Sequence, residues 1–169
     1  MLQRIVTLLK VLNWLNWVVA FLFVSCSVAT LIPPFENGLT ALMQKKLSAD
    51  QTTEILQIGR MIDLLLIPTA YAVHRIFLAI IAIVKTAIAG DPFITDNAHR
   101  LRIVGWALLA IQIIDLFSGL LMMRLSEVSG EYAGWSPAVT GWLAALLMFV
   151  LARIFEHGAR MRDDLEGTV

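Results

Sequence analysis

The sequence predicts an all-α integral membrane protein, a four-helix bundle whose long, proline-kinked second helix extends outside the bilayer. Three observations carry that prediction. The chain is 59% hydrophobic and only 15% charged, against about 45–50% and about 25% in ordinary soluble domains. Four stretches are apolar enough to cross a hydrocarbon core of about 30 Å, which takes about 20 helical residues. Strong breakers or polar stretches stand between them: Pro33-Pro34, Gly90-Asp91-Pro92 and the acidic stretch 126–134. All of 1–169 then reads as one membrane domain, with spans at about 11–32, 61–88, 103–124 and 134–155.

The first span begins after Arg4 and Lys10, which resembles a signal-peptide layout. Its uncharged run is longer than the roughly 7–15 residues of a cleavable segment, so it is expected to be retained. Trp14 and Trp17 stand one turn apart near its start, where an interfacial aromatic belt belongs. Pro33-Pro34 ends it, and the extracytoplasmic loop 33–60 holds a mildly amphipathic segment with Leu39, Leu42, Met43 and Leu47 on one face. Ser48 followed by Gln51 has the form of a capping box, so a new helix is expected from that point. Pro68 is expected to kink it. Gly90-Asp91-Pro92 stops it, and the polar loop 91–102 follows. The third span carries Gln112 and Asp115 and closes on Arg124. The fourth is uncharged from Ala133 to Ala152 and opens with Trp135 and Trp142. A charged tail, 156–169, is expected to be helical to Gly158 or slightly past it.

Loop charges give an orientation. Arg4, Lys10, Lys85, Arg100, Arg102, Arg153, Arg160 and Arg162 share one side, against Lys45, Lys46, Arg60 and Arg124 on the other. Basic residues favour the cytoplasm, so both termini are expected there.

Charges inside the spans need partners, because a charge at mid-bilayer costs about 2.5–3.5 kcal/mol on insertion scales. Counting about 1.5 Å per residue from the inner ends puts Arg75 and Asp115 at similar depth, as an intramembrane pair. Asp63 and Arg124 make a second rung one turn out of match. His74 points about 100° away from Arg75 around the helix. Two uses are open to Arg75, His74 and Asp115: holding the bundle together, or a proton or ion relay in a small ion-coupled transporter or channel. Cys26 is the only cysteine, and the three histidines lack companions at ligand spacing, so no metal or other cofactor is expected. No nucleophile elbow, phosphate loop or dinucleotide fingerprint is present, and no enzyme is predicted. Thirteen basic residues balance thirteen acidic ones, which speaks against direct nucleic-acid binding.

Two strings carry a family resemblance. One is Gly90-Asp91-Pro92-Phe93 with Asn97, Arg100-Leu101-Arg102 and Gly105-Trp106. The other is the stretch Leu151 to Val169, including Arg153-Ile154-Phe155-Glu156-His157-Gly158 and Arg160-Met161-Arg162-Asp163-Asp164. Together they resemble an uncharacterised bacterial family of small four-span membrane proteins, a domain of unknown function. The resemblance implies an inner-membrane protein often encoded beside a helix-turn-helix regulator of the XRE class. It implies a regulatory role in which that regulator is a cytoplasmic partner. The matching positions Asp91, Pro92, Phe93, Asn97, Arg100, Arg102, Arg160, Arg162, Asp163 and Asp164 would meet the partner. The bilayer is the other expected partner, and a homo-oligomer is open.

Overall fold

The structure is a computed structural model that describes residues 2–132 and 134–166, without the side chains of 163, 165 and 166. Its described residues form five helices: α1 (Leu2–Ala29), α2 (Pro33–Met43), α3 (Ala49–Ile88), α4 (Thr95–Ser129) and α5 (Val139–Glu166). Four of them, all but α2, are long and apolar enough to span a membrane. The protein is therefore an all-helical, multi-pass membrane protein. It divides into two compact units, one of residues 1–16, 71–112 and 138–169, the other of residues 17–70 and 113–137.

In the second unit the chain turns sharply between α1 and α2. The amides of Leu31 and Ile32 bond to the Val28 and Ala29 carbonyls three residues back, tightening the last turn before Pro33. Pro33 and Pro34 then open α2, where a missing N–H leaves nothing unpaired. Arg60 on α3 holds this corner by donating to the Thr30 carbonyl at 2.8 Å and to Glu36 at 2.9 Å.

The expected capping box is present at the start of α3. The Ser48 amide donates to Gln51 Oε1 at 3.0 Å, and the Gln51 amide donates to Ser48 Oγ at 3.2 Å. Gln51 also donates to the Val128 carbonyl at 3.1 Å, tying the start of α3 to the end of α4. From there α3 runs 40 residues, through Pro68. At about 1.5 Å per residue it is about 60 Å long, more than the 40–45 Å of a whole bilayer.

Both chain reversals onto and off α4 use a glycine with positive φ. At Gly90 (φ 87°) the Gly90 amide bonds to Ala87 and the Asp91 amide to Thr86, the paired bonds of a Schellman cap. At Gly130 (φ 70°) a single bond to Ser126 closes α4. Residues 134–138, expected as the start of the fourth span, are not helical. The Trp135 indole instead lies on α4 where Gly119 has no side chain, 2.2 Å from where a Cβ would stand.

The first unit is held by small residues. Ala145, Ala152 and Ala159 recur every seven residues along α5 and are all buried. Ala72 and Ala79 repeat that spacing on α3. Small side chains at helix contacts let backbones approach closely. Phe149 packs over Gly105, with Trp106 edge-on to it at 5.3 Å between centroids.

Candidate functional site

The polar stretch expected as a loop to residue 102 is a loop only as far as Ile94. Thr95 starts α4, so Asn97, His99, Arg100 and Arg102 lie on its first turns. The polar side chains that mimic a loop are a helix's exposed face and its N-terminal fastening.

That fastening centres on Asn97, whose side chain is fully buried (0% exposed). Its Nδ2 donates to Thr86 Oγ1 at 2.6 Å and to the Pro92 carbonyl at 2.7 Å, while Oδ1 accepts from Arg100 at 2.7 Å. Thr86 in turn donates to the Ile83 carbonyl. One amide thus joins the end of α3, the turn and the start of α4. Asn97 is expected from the sequence to meet a partner. The structure corrects this: it faces inward and has no surface to offer.

The same end of α4 is bolted to α5. Phe93 lies over Gly158, 3.2 Å from where a Cβ would stand, and against Phe155 with centroids 5.1 Å apart. Asp91 pairs with Arg162, and Arg102 pairs with Glu156. Glu156 also holds Arg160 at 2.8 Å and Arg153 at 3.6 Å, three guanidiniums on one carboxylate. Arg100 stands 3.7 Å from Asp96. The helix α5 therefore continues well past Gly158, because its inner face is occupied along its length. Asp164 is exposed near its end, and the side chain of Asp163 lies outside the described residues.

Of the positions expected to bind, Phe93 stays 46% exposed despite its seat on Gly158. It borders a groove of about 560 Å³ with Ile154, His157, Met161, Arg153 and Arg162. Ile154 and Met161 are exposed. Met161 falls within the stretch 160–164 expected to meet a partner; Ile154, seven residues before it on the same face of the tail, does not.

The Asp91–Arg162 pair gives a direct check. Both partners are partly exposed, a setting in which an ion pair contributes about 0.2–1 kcal/mol. Asp91→Asn or Arg162→Gln should speed amide exchange in residues 155–162 about two- to fivefold. The reversed pair Asp91→Arg with Arg162→Asp should bring it back.

The charges expected inside the spans are placed differently. Arg75 is exposed and donates to Tyr71 Oη at 3.2 Å, with the Tyr71 ring 6.0 Å from its guanidinium. Arg75 belongs to one unit and Asp115 to the other. His74 Nδ1 is 2.8 Å from Asn13 Oδ1 on α1. Arg124 pairs with Glu54 at 2.7 Å and Glu127 at 3.1 Å rather than with Asp63. The reason is reach: Glu54 stands more than two turns further out along α3, level with the end of α4 that carries Arg124. Asp63 instead lines a cleft of about 280 Å³ with Ser27, Leu31, Arg60 and Ile67.

No curated protein and no solved structure matches the chain. The family described as Protein of unknown function (DUF2975) matches residues 9–169. That match takes in all of α3, α4 and α5, the Asn97 fastening and the α5 groove, and leaves out only the first two turns of α1. The chain belongs to that family.

Proposed function

We propose that this protein is a non-enzymatic regulator in the bacterial inner membrane, with both termini cytoplasmic. It holds a cytoplasmic partner against the outer face of α5, and that partner is a small helix-turn-helix regulator of the XRE class. The observation that carries the proposal is the groove of Phe93, Ile154, His157 and Met161 flanked by Arg153 and Arg162. It is apolar along its floor and basic at its edges, which suits an amphipathic helix with acidic flanks. Contacts preset the base of the groove, with Phe93 seated on Gly158 and Asp91 paired with Arg162. A preformed surface loses less on ordering when it binds. Release of the partner requires a second state with lower affinity, and the fastening around Asn97 is where such a state would begin.

The test is co-purification from detergent with the regulator encoded beside the gene. The wild-type protein should retain it, and Met161→Glu should weaken retention at least about tenfold, because a charge would be buried in the contact. Equal retention by Met161→Glu, or none by the wild type, would remove the proposal.

A further inference from the structure

Three contacts fix the register of the helices in the first unit. Asn13 meets His74 between α1 and α3, Thr86 meets Asn97 between α3 and α4, and Arg102 meets Glu156 between α4 and α5. Neighbouring helices here run in opposite directions, each rising about 1.5 Å per residue. Counting from the contacts, to within a turn, places Lys10 and Trp106 level with Phe77. Trp14 falls level with Val73, Arg153 with Leu78, and Arg102 with Ile81. Arg75 and Tyr71 belong to the same layer.

Apart from His74 and Glu156, the side chains of this layer that carry charge or an amphipathic ring point outward. Lys10, Arg75, Arg102 and Arg153 are exposed, as are Trp14, Tyr71 and Trp106. Glu156 is the one carboxylate at this level among the described residues, and it is already shared among Arg102, Arg153 and Arg160. The layer is thus a cationic ring interleaved with tryptophan and tyrosine. Tryptophan and tyrosine concentrate at the headgroup level, and arginine and lysine reach toward it from just inside the hydrocarbon.

We infer that this ring seats the anionic phospholipid headgroups of one leaflet, so that the bilayer boundary crosses α3 near Arg75 and not near Gly90. Arg75 then lies at the interface, its stem against Tyr71, and needs no intramembrane carboxylate. Residues 76–88 of α3, about 18 Å of helix, stand outside the hydrocarbon with the first turns of α1, the first turns of α4 and the end of α5. Of their apolar side chains, Ala79 and Ile81 are buried within the protein, whereas Leu78 and Ile88 are exposed. Arg153 is shared with the groove, but the groove could be empty and the ring would still bind lipid.

The test uses single cysteines in a Cys26→Ser background, in nanodiscs open to reagent on both faces. Leu78 and Ile88 are exposed on the inner part of α3, and Leu64 and Ile67 are exposed on its outer part. A charged maleimide needs hydrated thiolate. Leu78→Cys and Ile88→Cys should react at least about tenfold faster than Leu64→Cys and Ile67→Cys. Equal shielding of Leu78→Cys and Ile67→Cys would place Arg75 in the hydrocarbon and overturn the inference. The lipid arm compares anionic phosphatidylglycerol with zwitterionic phosphatidylcholine by native mass spectrometry at low salt. Retained phosphatidylglycerol should fall about fivefold for each charge removed in Lys10→Gln, Arg75→Gln and Arg153→Gln. Unchanged retention in the triple variant would show that the ring does not select anionic headgroups.

Discussion

Asn97→Leu is expected to lower the stability of the protein by about 2–4 kcal/mol, the larger of the two strongest effects. The residue is fully buried, and three hydrogen bonds of 2.6–2.7 Å end on its side chain. Leucine matches its bulk but leaves the Pro92 carbonyl and the Thr86 hydroxyl without their donor, at about 1–3 kcal/mol for each buried group left unpaired. In a chain of this size the change corresponds to a fall in thermal midpoint of about 4–16 °C, read by circular dichroism in mild detergent. Asn97→Asp is the discriminating variant. It keeps an acceptor for Arg100 but places a second acceptor against the Pro92 carbonyl, so it should recover little of the loss. Full stability of either variant would mean that the knot between α3 and α4 is not what fixes this turn.

Gly119→Ala is the second strong case, and its cost comes from crowding. The new methyl would stand 2.2–2.5 Å from three atoms of the Trp135 ring system, whereas real carbon contacts need more than about 3.4 Å. A rigid indole cannot yield as a flexible chain end would, so the ring must leave its seat on α4. Overpacking of this kind costs about 1–3 kcal/mol. The coupling is local and can be isolated. Trp135→Ala alone loses the packing, but in its presence Gly119→Ala should cost almost nothing, giving a non-additive double-mutant cycle. The indole N–H of Trp135 is buried without a partner, so Trp135→Phe should be tolerated far better than Trp135→Ala. Additive costs for Gly119→Ala and Trp135→Ala would contradict this packing.

The elements that the sequence reveals are those whose cause is local. The Ser48–Gln51 box, the Pro33-Pro34 corner and the stop at Gly90 depend on residues a few positions apart, and all three stand where the chain predicts them. The start of α4 is hidden because Thr95 to Arg102 is polar, and polarity alone does not separate a loop from a helix end facing water. Arg124 shows a second limit. Its partner Glu54 is 70 residues away and becomes visible only when the length and register of α3 are known. The depth of Arg75 suffers from the same gap, since counting inward from Ile88 assumes that the span ends there. Asn97 and the alanine stripe of α5 are different. Their signals were in the sequence, a polar residue set among small and apolar ones and a seven-residue repeat of alanine. Burial, which gives both signals their meaning, is a property of the fold.

The family membership supplies a frame without a chemistry. Five of the residues expected from the sequence to bind separate into two sets once the packing is known. Asp91, Asn97, Arg100 and Arg102 fasten the end of the first unit. Phe93, with Ile154 and Met161 beside it, supplies surface. A variant in the first set should therefore lower stability, whereas one in the second set should leave stability nearly unchanged and weaken the proposed partner contact.

One interval along α4 has a consequence for where the protein can reside. Between Arg102 and Arg124 lie 21 residues, of which only Asp115 is charged. That interval covers about 33 Å along the axis, close to the hydrocarbon thickness of an ordinary bilayer. The level of Arg75 crosses that interval near Leu108, about 24 Å from Arg124, so a boundary at Arg75 leaves the helix little slack with which to absorb a thicker hydrocarbon. Each ångström of mismatch would be met by tilting or by deforming the surrounding lipid, at a fraction of a kcal/mol. Bilayer thickness would then act as a sorting cue, favouring membranes of average depth or thinner over markedly thicker ones.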